Sequence, residues 1–241
     1  MKPVISLALP VFNSSSILWL KLESLCRQET PYPWELIACE DPSENFCGEK
    51  YFNPYKQRLQ EAGCVNFKFI ELDQWVPLSY KWKILADYSS TENFMLVACD
   101  NYAGPDRIKV TYECLQKGEW VDYDQGVFLN LLNGEYATWV RPSAMATGLH
   151  IGTKTSIIKD LQPPYPIRGI DGWIRCQKDS IDRVSIQDFP RSIHTDGANN
   201  ISFHRKDLYT DPNSAFEPFH GKLEELIPLD IITRLKTQFN F

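Results

Sequence analysis

Short apolar runs alternate with stretches of helical spacing through the first half of the chain. Val4 to Val11 is almost continuously apolar, the pattern of a strand covered on both faces. Ile17, Leu18, Leu22 and Leu25 then recur at helical intervals behind Ser14, Ser15 and Ser16, any of which can cap the helix start. Leu36 to Cys39 predicts a second strand that runs into Glu40-Asp41-Pro42-Ser43. A polar helix follows over Pro54 to Ala62, with Gly63 as its stop. Phe67 to Leu72 predicts a third strand, Leu78 to Tyr88 a third helix and Phe94 to Cys99 a fourth strand. This β-α-β-α-β-α-β order implies a largely parallel sheet with right-handed crossovers.

The second half is less regular. Tyr136 to Val140 predicts a strand, Thr153 to Leu161 a helix, and Gly169 to Gln177 another helix beyond the Pro163-Pro164-Tyr165-Pro166 loop. The end of the chain, Leu223 to Phe239, has apolar residues at helical spacing, with Pro228 interrupting. That segment can dock on the domain, pair with a second subunit or lie on a membrane surface, and docking is the default. The division expected is one α/β domain over 1–204, with a nucleotide-binding half (1–104) and an acceptor-binding half (105–204). A C-terminal extension (205–241) follows.

Ligands of open α/β sheets bind beyond the carboxyl ends of the strands. Asn13, Asp41 and Asp100 each fall just past such an end. Acids and asparagines are common there in any case, because they cap helices and form turns. One such residue means little; three converging on one edge point to a site.

Composition narrows the classes. The chain has 241 residues, 43 % hydrophobic and 23 % charged, enough apolar material for a sizeable core. A net charge of −6 argues against a general nucleic-acid binder, which needs clustered Lys and Arg. The seven Cys show neither zinc-ligand spacing nor a disulfide framework. No signal-peptide pattern opens the chain, and no apolar run is long enough to span a bilayer, so a cytoplasmic protein is expected.

The opening VISLALPVFNSSSILWLKLESLCRQETPYPWELIACEDPS resembles the first third of family 2 nucleotide-sugar glycosyltransferases with the GT-A fold. The resemblance is carried by Pro10-Val11-Phe12-Asn13, in place of Pro-x-Tyr-Asn, and by the acidic pair Glu40-Asp41 with Ser43. It extends to residues 94–108 and, less closely, to 146–175. It implies that Pro10, Phe12 and Asn13 wall the nucleoside and that Asp41 accepts its hydrogen bonds, with Glu40 second. The fourth strand of that family ends in Asp-x-Asp, which meets ribose, diphosphate and a divalent metal. Here Asp100 matches the second acid, Ala98 stands at the first, and Asn101 offers a neutral oxygen. Asp171, in GIDGWIR, matches the general base, although it could also cap a helix. His194 matches a histidine that reaches the metal. His150 and Trp173 lie where relatives bind the acceptor. Lys81 and Lys83 can meet phosphate or belong to a solvated helix face.

The reading that follows is an inverting transfer of a sugar from a nucleoside diphosphate, UDP first among donors, to an acceptor hydroxyl of a glycan or similar molecule. Mn²⁺ or Mg²⁺ on Asp100 and His194 is the cofactor expected. Two alternatives stay open: a non-catalytic sugar-nucleotide binding module, and a viral-type glycosyltransferase acting on nucleic acid.

Overall fold

A computed structural model describes residues 1–123, 125–140, 151–162, 182–186, 192–197 and 216–241. In chain order these form β1 (Ile5–Val11), α1 (Leu18–Leu25), β2 (Trp34–Glu40), α2 (Lys56–Glu61), β3 (Cys64–Glu71), α3 (Leu78–Asp87), β4 (Asn93–Leu96), β5 (Asn101–Ala103), α4 (Arg107–Leu115) and β6 (Trp120–Tyr123). There follow β7 (Gln125–Asn130), β8 (Tyr136–Val140), β9 (Gly152–Lys154), α5 (Thr155–Lys159), β10 (Arg183–Ile186), β11 (Ser192–Asp196), β12 (Phe216–Pro218) and α6 (Leu229–Phe239).

The apolar runs build the centre of a seven-stranded sheet with the order β10-β6-β9-β4-β1-β2-β3. β1 pairs in parallel with β2 and β4, and β2 with β3, as the alternation of elements requires. Every residue of β1 and β2 is buried, which is why neither strand alternates apolar with polar. β9 is antiparallel to both β4 and β6 and makes the sheet mixed.

A second, five-stranded sheet has the order β12-β8-β7-β11-β5. It was not legible beforehand, apart from the strand at Tyr136–Val140. The chain passes from the first sheet to the second just after β4, through a turn at Cys99 and Asp100. Asp100 therefore stands where the two sheets part.

Some boundaries differ from expectation. The helix predicted over Thr153–Leu161 is shorter, because Gly152–Lys154 is taken up as β9 and only Thr155–Lys159 is α-helical. The polar helix before Gly63 opens as a 3-10 turn over Glu49–Tyr55 that contains Pro54. No serine caps α1 through its side chain: the Ser14 hydroxyl turns back to the Phe12 carbonyl at 2.6 Å. The helix expected over Gly169–Gln177 lies outside the described residues.

The C-terminal segment docks on the chain's own core. Ile231, Ile232 and Leu235 of α6 join Ile17, Trp19 and Leu20 in one buried cluster with Tyr102, Val127 and Leu129. The Arg234 guanidinium lies 3.8 Å from the Trp19 ring centroid, a cation–π contact. Trp19 donates its indole N–H to Gln238 Oε1 at 2.9 Å, and Gln238 donates to the Ser16 carbonyl. Pro228 stands at the N-cap of α6, where its missing N–H costs nothing. Among the described residues no helix is long and apolar enough to cross a membrane.

Candidate active site

Three loops leave the carboxyl ends of β1, β2 and β3 and are tied to one another by buried carboxylates. Glu40, fully buried, accepts the backbone amides of Cys47 and Gly48, each at 2.9 Å, and so folds the loop after β2 back on its own strand. Burial raises the Glu40 carboxyl above its usual range, and the two amides work against that rise. Asn13 sits at φ +50, a left-handed conformation that asparagine tolerates, and its Oδ1 accepts Asn45 Nδ2 at 2.7 Å. The loops after β1 and β2 meet there.

Asp41 links the second loop to the third. Its Oδ2 accepts the Val76 amide at 2.9 Å, and its Oδ1 takes the Lys81 ammonium in a buried ion pair. Lys81 also donates to the Val11 carbonyl at 3.0 Å and lies 5.2 Å from the centroid of the Phe12 ring. The sequence shows no partner for Asp41, since Lys81 is a helix later. The fold supplies one. Lys81 is thereby held in the interior, 3 % exposed, and is not on a solvated helix face. Lys83 instead donates to the carbonyls of Lys159 and Leu161, joining α3 to α5. Phe12, 36 % exposed, stands beside this pair.

The second group of residues lies where the sheets part. The hydroxyl of Thr195 donates to the Asp100 carbonyl at 2.6 Å. β11 pairs antiparallel with β5, so that His194 stands opposite Asn101, with His194 Nδ1 and Asn101 Nδ2 3.4 Å apart. The His194 ring stacks on Phe128, with centroids 4.4 Å apart and planes within 8°. Asp196, at the end of β11, is buried and adds a negative charge near Asp100. Asp100, Asn101 and His194 are thus brought together. Pro10, Phe12, Asn13, Asp41 and Lys81 form the neighbouring group, with Ser14 Oγ and Cys99 Sγ in contact at 3.0 Å between them. Asp171, His150 and Trp173 lie outside the described residues.

Burial pushes the Asp100 carboxyl up to about 6, against the pull of Lys21. The sign of its effect on stability follows. The folded-state value lies above the usual 3.8, so ionisation works against the fold, and the stability present below the lower value is lost as pH rises through about 6. Asp100→Asn is expected to raise the melting temperature near pH 8 and to leave it little changed near pH 4. Thermal melts at the two pH values check this; an equal shift at both would assign the effect to packing.

Sequence reasoning missed Lys21. It lies on the buried face of α1, 1 % exposed, among Leu18, Leu22 and Leu25. Burial, with the nearby Arg107 charge, lowers its amine to about 7, while Asp100 and Cys99 act to keep it protonated. The signal was present: Ile17, Lys21, Ser24 and Gln28 share one helix face, and three of the four are polar.

A resident divalent ion needs carboxylates or other hard oxygens around it. Among the described residues no three His, Cys, Asp or Glu converge into such a cage. Asp100 has a buried amine as its neighbour, and the His194 ring is packed flat on Phe128. Asp100, Asn101 and His194 are the described residues that would hold a divalent ion, together with phosphate oxygens of the donor and water.

No protein-family model matches the sequence, and no curated protein sequence matches it. Solved structures do. TarS of S. aureus in complex with UDP-GlcNAc superposes with a TM-score of 0.63 at 14 % identity, over 80 % of this chain and 59 % of that one. A longer TarS structure gives 0.59 at 15 % identity, over 80 % and 36 %. The mannosyltransferase PcManGT from Pyrobaculum calidifontis, in complex with GDP-Man and Mn²⁺, gives 0.60 at 10 % identity, over 87 % and 61 %. The fold is that of the GT-A glycosyltransferases. The chain spans between 36 % and 61 % of the length of these structures.

Proposed function

We propose that the protein is an inverting glycosyltransferase that moves a sugar from a nucleoside diphosphate, UDP first among donors, to an acceptor hydroxyl of a glycan or similar molecule. The observation that carries this reading is the group of residues gathered at the carboxyl edge of a parallel sheet. There the Asp41–Lys81 pair, Phe12 and Asn13 stand beside Asp100 at the parting of the two sheets. The neighbours crystallised with UDP-GlcNAc and GDP-Man support the class of donor.

In this reading Phe12 walls the nucleoside, and Asp41 holds the Lys81 ammonium and the Val76 amide at its edge. The diphosphate points toward Asp100, Asn101 and His194. Asp171 takes the proton of the acceptor hydroxyl as its oxygen bonds to the anomeric carbon. The bond from that carbon to the diphosphate breaks, and the nucleoside diphosphate leaves. A single in-line displacement inverts the centre and needs no covalent enzyme intermediate. His150 and Trp173 are the residues proposed for the acceptor.

A nucleotide-release screen over UDP-, GDP- and dTDP-sugars, with and without Mn²⁺, tests the reading. Release from at least one donor supports it. Tight binding with no release under any condition would favour a sugar-nucleotide binding module. Ala98 at the position of an expected acid is the feature that keeps this second reading in view.

A further inference from the structure

A cavity of about 650 Å³ lies at the end of α1 remote from Asn13, between that helix, the end of α2, the turn after β5 and the segment that leads into α6. Its volume falls within the span of about 300–1,000 Å³ usual for small-molecule sites. Gln28, Tyr102 and Ile227, all buried, form its inner wall. Four carboxylates, those of Glu29, Glu61, Glu224 and Glu225, stand at its exposed rim. The wall is fixed in place. Glu29 donates its backbone amide to the Pro105 carbonyl at 2.6 Å, and Gln28 donates to the Gly104 carbonyl at 2.7 Å and accepts the Ile108 amide at 3.1 Å.

Two donors that line this cavity have no partner among the described residues. Tyr102 is 2 % exposed and its hydroxyl makes no hydrogen bond there; burial pushes the phenol up to about 12, so it keeps its proton. Arg27 Nε is buried and likewise unbonded. Buried groups left unbonded cost stability, and the two together point to a ligand that bonds them. Charge decides its class. The guanidinium ends are already engaged, Arg27 with Asp230 at 2.6 Å and Arg58 with Glu23 through two bonds of 2.7 Å. The four rim carboxylates therefore turn away an anion. An ammonium ion has no acceptor to offer, so it leaves Arg27 Nε unbonded and meets two guanidinium groups. A hydroxyl both donates and accepts. Several hydroxyls on one neutral frame serve the carboxylates and the two donors together.

We propose that this cavity is a non-catalytic binding site for an uncharged carbohydrate, separate from the residues gathered around Asp41 and Asp100. The hydroxyls of the ligand donate to the rim carboxylates and accept from Arg27 Nε and the Tyr102 hydroxyl. The C–H face of a sugar ring lies against Pro105 and Pro228, which also line the cavity. No bond forms or breaks there.

Calorimetric titration of the full chain with maltotriose, cellotriose and chitotriose, and with spermidine in parallel, tests this on the wild type, Tyr102→Phe and Ala62→Trp. At least one saccharide is expected to bind the wild type. Tyr102→Phe removes a single hydroxyl and should weaken that saccharide about 2–10-fold, the range for one hydrogen bond. Ala62 lines the cavity, so Ala62→Trp puts a ring into it and should abolish binding. Unchanged affinity in Tyr102→Phe would overturn the proposal, whether or not Ala62→Trp folds. So would the failure of all three saccharides to bind, with or without binding of spermidine. The readout is saccharide and not nucleotide, so a failure of the donor reading leaves this result standing.

Discussion

Asp41→Ala is expected to cost about 3–5 kcal/mol of folding stability, the range for removing one partner of a buried ion pair. Asp41 is fully buried and Lys81 is 3 % exposed, so the variant strands an ammonium in the interior. The Val11 carbonyl at 3.0 Å and the Phe12 ring at 5.2 Å remain, but neither carries a countercharge. The Val76 amide loses its acceptor as well, and the loop after β3 is freed from the end of β2. Removing both charges together, in Asp41→Ala with Lys81→Met, should restore much of the loss, because the main term is the uncompensated cation and not the pair itself. Urea unfolding of the two single variants and the double variant measures this. A loss below about 1 kcal/mol in Asp41→Ala would mean that water reaches Lys81, as at an exposed pair.

Asp171→Asn should leave donor affinity near that of the wild type while transfer falls by about 10²–10⁴-fold, the span for loss of a general base. Asparagine keeps the size and most of the hydrogen bonding of aspartate but cannot accept the acceptor's proton. GIDGWIR places this acid between Gly169 and Gly172 in sequence, after Pro163-Pro164-Tyr165-Pro166. Other acids of that region have other contexts: Glu135 accepts from Asn133 at 2.8 Å in an exposed turn, and Asp160 closes α5. A capping role makes the opposite prediction, since asparagine caps helices as well as aspartate does. Initial rates of transfer, measured with donor affinity on the same preparation, separate the two. Near-normal turnover in Asp171→Asn would remove it from the mechanism.

The parallel centre of the main sheet was legible in the sequence because β1 and β2 are buried on both faces and read as largely apolar runs. The second sheet was hidden for the opposite reason. β5 and β12 have three residues each, too few to show a period, and their pairing is set by contacts across long stretches of chain. Gly152-Thr153-Lys154 lost its helical reading to sheet pairing: Gly152 sits opposite both Met95 and Val121. A Cβ there would come 2.4 Å from Thr111 Cγ2, which is why a glycine occupies the position. At the candidate site, strand ends located Asn13, Asp41 and Asp100. Their partners were not visible, because local patterning carries no information on which lysine reaches which acid. Glu40 looked like a substitute for Asp41 and turned out to hold the loop at Cys47 and Gly48. Lys21 was overlooked because a single charge in an amphipathic helix is ordinarily assigned to its wet face.

The docking of α6 on Trp19 bears on how the chain folds as it is made. Ile17, Trp19 and Leu20 are synthesised well before Ile231, Ile232 and Leu235, which form part of the surface that covers them. Until then the outer face of α1 is open to water and to other nascent chains, and Trp19 lacks the Gln238 carbonyl that accepts its indole N–H. Closing a loop that long is slow relative to local contacts, so the sheet can assemble before α6 docks on α1. Since α1 follows Phe12 and Asn13 in the chain, the docking of α6 also holds the helix into which the loop after β1 leads.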